Sequence, residues 1–289
     1  MSEVVEVPAA PGIGSVYRHA ALGQLRHRSS TELPGTTLVL RGLSVDRAHL
    51  AAYDRVCGYR LSDQLCPTYP HILAFPLAMR LMSAVDFPVR VIGVVHIANR
   101  IEVLRPIDAG ERLEFTVRAT DLRPHERGRQ FDVRTTASVD DEVVWRGIST
   151  YLRREKARDD PAPRDTAQRE RVPRPPAPRP TAVWRVGRDV GTRYAKVSGD
   201  HNPIHTSRLG ARVFGFPRTI AHGMWSMARC LAALEGRLPD SYAVDVAFKL
   251  PILLPASVGF SAERDDDGWA IGLHDARSGK PHLTGHVTG

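Results

Sequence analysis

The chain alternates between two hydrophobic periods, and it does so twice. Leu73, Leu77, Arg80, Leu81 and Ala84 recur at helical spacing. Arg80 fits that stripe because its stem can lie along apolar surface while its charge reaches water. Ile220, Met224, Met227, Ala228 and Leu231 keep the same spacing more cleanly. Downstream of each stripe the apolar residues form short, strand-like stretches. Leu113, Phe115, Val117 and Ala119 alternate with polar neighbours at period two, as do Phe131, Val133, Thr135 and Ala137. In the second half, short apolar stretches at 258–260, 269–271 and 282–284 are separated by turn signals at 265–268 and 276–281. A helix with a broad apolar stripe needs a sheet to cover it. The pattern therefore predicts an α+β chain in which a curved antiparallel sheet wraps a central helix, twice.

Three short matches support a duplication. Tyr53, Val56 and Gly58 have counterparts in Tyr194, Val197 and Gly199, displaced by 141 residues. The helical stripes follow in the same order. The segment 98–106 then parallels 247–255, displaced by 149 residues. Between the halves, residues 155–183 are rich in Pro, Arg and Asp and almost free of apolar side chains. Such a segment buries too little surface to offset its ordering entropy, so it reads as a linker. The expected organisation is an N-terminal unit 1–154, a linker 155–183 and a C-terminal unit 184–289.

Composition fits two globular units: 289 residues, 42% hydrophobic and 25% charged. The first residues are partly acidic and lack a long apolar run, so they do not read as a signal peptide. The best apolar run, Leu73–Val85, is interrupted by Arg80 and is too short to span a bilayer. No membrane association is expected. Cys57, Cys66 and Cys230 form no CxxC pair, which favours a reducing, cytoplasmic setting over a disulfide framework. The net charge of +8 suits an anionic partner, or is the plain result of an arginine-rich composition. No zinc finger, aromatic RNA motif or basic helix favours nucleic acid, so no nucleic-acid partner is expected.

The chemistry concentrates in Tyr194–His205. Asp189 can cap a short helix ending near Gly199. Asp200 then opens a tight turn held by Asn202 and Pro203, which presents Asp200 and His205 to one proton. Downstream, the stretch Thr219–Met224 falls at the start of the second helical stripe. Backbone N–H groups in a first helical turn lack intrahelical partners and can bind a developing oxyanion. Gly223 there allows close approach of a ligand. A thioester carbonyl suits such a site, because moving a proton at its α-carbon builds charge on oxygen. Taken alone, an Asp-x-Asn-Pro turn is as readily structural, and His222 as readily a packed histidine. His201 and His205 have HxxxH spacing, but Pro203 opposes the helix that would align them. No metal and no cofactor is expected. Ser226 has no partner base in the sequence to make it a nucleophile.

The run Ser198-Gly199-Asp200-x-Asn202-Pro203-x-His205, followed by Ala221-His222-Gly223-Met224, resembles the signature of MaoC-like, type-2 enoyl-CoA hydratases. The resemblance implies a double hotdog fold, the helix-in-sheet layout derived above. It implies syn hydration of trans-2-enoyl thioesters to (3R)-hydroxyacyl thioesters, and the reverse dehydration, in fatty-acid metabolism. Asp200 and His205 would be the catalytic pair, Asn202 would orient it, and the Gly223 N–H would hold the oxyanion. Ser198, Gly199, His222 and Met224, flanking those four, are the candidate substrate contacts. Arg100, Arg212 and Lys249 are candidate contacts for the phosphates or acidic groups of a coenzyme A or acyl-carrier-protein thioester. Leu231 stands where some relatives carry a serine.

In the first half Tyr59 takes the place of Asp200, no Asn-Pro-x-His follows it, and Ala74 falls in the register of Gly223. That half is expected to be catalytically empty and free to hold an acyl chain. The two joined units would mimic the usual dimer within one chain, leaving a further homodimer open. Two other functions compete. A non-catalytic acyl-thioester-binding or interaction subunit would retain binding without turnover. A thioesterase would need a carboxylate on the central helix, where 224–234 has none.

Overall fold

The computed structural model describes residues 3–12, 14, 31–91, 93–155 and 179–289. Most of the expected linker, residues 156–178, lies outside them. Its last two residues do not belong to a linker, because Ala182–Val186 forms a strand.

Among the described residues there are eleven strands in one sheet. The first unit contains β1 (Glu3–Glu6), β2 (Thr36–Ser44), β3 (Val94–Val103), β4 (Arg112–His125), β5 (Gly128–Val139) and β6 (Glu142–Arg154). Its helices are α1 (Arg47–Cys57) and α2 (Tyr69–Met82). The second contains β7 (Ala182–Val186), β8 (Tyr242–Phe248), β9 (Ala256–Arg264), β10 (Gly268–Asp275) and β11 (Pro281–Thr288). Its helices are α3 (Val190–Ser198), α4 (Pro203–Thr206), α5 (Arg208–Val213) and α6 (Gly223–Ala232). The strand order is β1-β2-β4-β5-β6-β3-β8-β11-β10-β9-β7. Read outward from the β3–β8 seam, β3-β6-β5-β4-β2 and β8-β11-β10-β9-β7 repeat the same connectivity. This is a double hotdog, and its two expected sheets are fused edge to edge into one.

The periodicities explain the elements. Leu113, Phe115, Val117 and Ala119 are buried along β4, with polar residues between them facing out. In α2, Leu77 and Leu81 are buried while Arg80 is exposed. In α6, Met224, Met227, Ala228 and Leu231 all face the core. The repeated Tyr-x-x-Val-small-Gly motif is the end of a short helix in both units. Gly58 and Gly199 sit in the left-handed region at φ 85° and 73°, where a side chain would be strained.

Two details depart from the sequence reading. Asp189 stands at the N-cap of α3, but its side chain makes no capping bond; its backbone is helical rather than extended. Ala74 lies well inside α2, because Pro70 starts that helix several residues before the repeat register would.

The seam carries buried apolar side chains from both units. Ile101 and Val244 face each other directly and are fully buried. The matched segments are neighbours there, with Ala98 opposite Ala247. Tyr53 and Tyr194, the first residues of the repeated motif, meet at 5.9 Å between ring centroids. The Trp225 indole donates to the Val56 carbonyl at 3.1 Å. Such a seam couples the units. Ile101→Ala is expected to cost about 2–5 kcal/mol and to lower a single, shared calorimetric transition; two separately melting units would contradict this.

Candidate active site

The site is built where α3 ends and α6 begins. Gly199 turns the chain out of α3, and the next residues are fixed by their own side chains. The Ser198 hydroxyl accepts from Asp200 N–H at 3.2 Å. Asp200 Oδ1 accepts from Asn202 N–H at 3.1 Å, and Asn202 Oδ1 accepts from Ile204 N–H at 3.3 Å. Asn202 is thereby the N-cap of α4, with Pro203 in its first turn. His205 rides on this single turn, and His201 stays outside it. Gly191 of α3 lets α4 come close: a β-carbon there would stand 2.2 Å from the His205 carbonyl oxygen.

Two imidazoles are then locked by backbone carbonyls. His205 Nδ1 lies 2.8 Å from the Ile220 carbonyl. A carbonyl only accepts, so Nδ1 carries the proton and Nε2 keeps a lone pair. His222, at the N-cap of α6, places Nε2 3.0 Å from the Asp200 carbonyl, so its Nε2 is the donor. The rings stack with centroids 3.6 Å apart, and Tyr194 covers His222 on another side at 4.8 Å. Asp200 Oδ2 is 3.9 Å from His222 Nε2. Burial holds both imidazoles neutral. The His205 pKa is lowered by desolvation, opposed by the Asp200 charge. That of His222 falls to about 3, through desolvation and then the neighbouring His205.

Gly223 opens α6, and its N–H is one of the donors a helix leaves without intrahelical partners. The ring of Phe248 lies 3.2 Å from where a β-carbon on Gly223 would be. Met224 follows, buried in the core. The Ser226 hydroxyl donates to the His222 carbonyl at 3.2 Å, a structural bond.

Asp200, His205 and His222 each offer a ligating atom within 4.8 Å of the others, so a cation is a question to ask. The ring geometry disfavours one. An ion about 2.1 Å from both nitrogens would sit far out of the planes of two rings stacked at 24°. Turning either ring would break its bond to a carbonyl.

The predicted site residues are not all brought together. Ser198, Gly199, Asp200, Asn202, His205, His222, Gly223 and Met224 form one neighbourhood. Lys249 is exposed directly after Phe248, and Arg212 is exposed at the end of α5. Arg100 faces the outer side of the sheet, between inward-facing Asn99 and Ile101, where it pairs with Glu102 and Asp245. The structure therefore does not place Arg100 beside the site. The sequence reading missed His71, His96 and Tyr151 of the first unit, all of which feel the charge of Asp200. No motif marks them, since they meet only through folding.

A profile described as the MaoC like domain matches residues 165–275. The 3-hydroxyacyl-thioester dehydratase X of Mycobacterium tuberculosis is 40% identical over 278 residues, covering 96% of this chain and 98% of its own length. The chain belongs to the MaoC-like dehydratase family. The crystal structure of HtdX from the same organism superimposes with a TM-score of 0.77 at 39% identity, over 88% of this chain and 99% of that one. An enoyl-CoA hydratase of that organism, ChsH3, is 27% identical over 67% of this chain and 68% of its own.

Three desolvated, neutral histidines set the acid limit of this MaoC-like chain. His71, His96 and His222 are held to about 4, about 3 and about 3, chiefly by desolvation. The unfolded chain takes up these protons near pH ~6.5, the ordinary imidazole value, while the folded chain does not. Stability is therefore full above that value and falls as pH drops toward the folded values. The slope is about 1.4 kcal/mol per pH unit for each such proton. Denaturant unfolding in steps from neutral to mildly acidic pH should show this decline, with a shallower slope in His96→Phe; equal slopes would contradict it.

Proposed function

We propose that the chain catalyses the reversible hydration of trans-2-enoyl thioesters to (3R)-hydroxyacyl thioesters in fatty-acid metabolism, as a hydro-lyase. The observation that carries this is the tautomer of His205. Its Nδ1–H is committed to the Ile220 carbonyl, so an unprotonated Nε2 is available at neutral pH beside the Asp200 carboxylate. A base and a carboxylate can then share one water molecule.

In the hydration direction His205 Nε2 and Asp200 take a proton from water as its oxygen bonds to C3. The π electrons move toward the thioester oxygen, where the Gly223 N–H and the dipole of α6 meet the developing charge. The proton returns to C2 on the same face, giving syn addition. Dehydration runs these steps backward. Asn202 holds the turn and orients the pair. His222 acts as a positioning residue, because its donor is spent on the Asp200 backbone. Ser198, Gly199 and Met224 shape the wall of the site.

The thioester is that of coenzyme A or an acyl carrier protein. Arg212 and Lys249 remain the proposed contacts for its phosphates or acidic groups; Arg100, turned away and paired with Glu102 and Asp245, is not one of them. The first unit lacks a copy of the Asp200–His205 loop and lends its interior to the acyl group. The two units make a pseudo-dimer in one chain, and pairing of two chains remains compatible with it. No helix among the described residues is long and apolar enough to cross a membrane. The cytoplasm is the proposed setting.

Asp200→Asn and His205→Gln are each expected to lower hydration of crotonyl-CoA or a longer enoyl-CoA by roughly 10² to 10⁴, followed by loss of the conjugated absorbance, with the fold retained. Wild-type turnover should stay level down to the ordinary imidazole range and fall only below it, since His205 resists protonation. Thioester binding without turnover would favour the binding-subunit reading, and release of free coenzyme A the thioesterase reading.

A further inference from the structure

The first unit is not uniformly apolar inside. The inner faces of β3 and β6 carry Asn99, Ser149 and Tyr151, all buried, and α2 adds His71. The matching inner faces of β8 and β11 carry Val244, Val246, Leu283 and Val287. Polar side chains in a core cost stability unless they are paired, so their confinement to one unit needs a cause.

Their arrangement supplies one. β3 is bulged between His96 and Ala98, which re-aims His96 inward against Tyr151 at 4.8 Å between centroids. His71 stacks on His96 at 6.1 Å. The Asn99 amide donates to the Ser149 hydroxyl at 3.0 Å and lies 3.5 Å from His96 Nε2, and its Oδ1 is buried with no partner. Turning the amide over would only strand its other polar atom. His71 and His96 keep accessible surface, yet protein encloses them closely enough to hold them neutral. That remaining surface is where a ligand can meet the two rings.

The cluster adjoins the site. The ring of Phe248 touches His96 at 5.1 Å between centroids on one side and packs on Gly223 on the other. The Asp200 charge reaches His71, His96 and Tyr151. A substrate whose carbonyl sits at Gly223 would lay its acyl group past Phe248 onto this cluster.

We propose that His71, His96 and Asn99 form a polar subsite for the acyl group, taking a hydroxyl carried on the chain beyond the reacting carbons. The inference rests on the hydratase reading and deepens it. A hydroxyl both donates and accepts. It can donate to the stranded Asn99 Oδ1 and accept from the N–H of the neutral His71 imidazole, while His96 faces the Asn99 amide. A plain alkyl chain would leave those groups unpaired, which is the situation in which an enzyme discriminates by hydrogen bonding.

The test uses the full chain and enoyl-CoA thioesters of equal length, one unsubstituted and the others with a single hydroxyl moved one carbon at a time. At one position, kcat/KM should exceed that of the unsubstituted chain by about tenfold, the worth of one good hydrogen bond. Asn99→Leu and His96→Phe should bring that ratio to about one. The ratio does not depend on the fraction of enzyme that folds, so partial misfolding cannot imitate the result. Hydroxylated chains that are all poorer than the plain one, or a preference that survives both variants, would overturn the subsite while leaving the hydratase reading intact. No hydration of any enoyl-CoA would overturn both.

Discussion

The site depends on two imidazoles whose ring protons are spent on backbone carbonyls. His205 donates to Ile220, and His222 donates to Asp200. These bonds join three segments: the turn after α3, the single turn of α4, and the approach to α6. They also decide the chemistry. The bond to Ile220 leaves His205 with a lone pair on Nε2. The bond from His222 ties the Asp200 backbone to the N-cap of α6. His205, Asp200 and the start of α6, the proposed base, carboxylate and oxyanion donor, are thus placed by one short network. Stacking at 3.6 Å is tolerable only because both rings are neutral. Two imidazolium ions at that distance, away from water, would repel strongly.

The duplicated sheet provides the rigid background. The β3–β8 seam fuses two hotdog units, so the interior of the first lies beside the chemistry of the second. The units then diverge. The second spends residues 200–220 on the loop that carries Asp200 and His205, and the inner faces of its β8 and β11 are apolar. The first omits that loop and sets Asn99, Ser149 and Tyr151 into an otherwise apolar inner face. The halves differ in which strands carry Asn99, Ser149 and Tyr151 and which carry valine and leucine.

Much of this was legible in the sequence, for local reasons. The αL glycines of the Tyr-x-x-Val-small-Gly motif, the Asn202–Pro203 helix start and Gly223 at the head of α6 are set by nearby residues, and spacing exposes them. The period-two runs gave the strands because one face of each is buried. Other features depend on residues far apart in the chain. The Asp189 cap fails because its backbone is helical, which composition does not show. The repeat register put Ala74 at a helix start because it ignored where Pro70 begins α2. Arg100 looked available until β8 brought Asp245 beside it. His71, His96 and Tyr151 come from α2, β3 and β6, and only the bulge at 97 turns His96 inward. The tautomer of His205 likewise needs the Ile220 carbonyl, fifteen residues away, to be known.

The central claim is that Asp200 and His205 act as one unit on one water molecule. The most direct test is the steady-state hydration rate of the double variant Asp200→Asn/His205→Gln beside the two single variants. If the pair is a unit, the double variant should be about as slow as the slower single variant, because residues acting together lose their effect together. Losses that multiply, or a single variant that keeps wild-type turnover, would contradict the account.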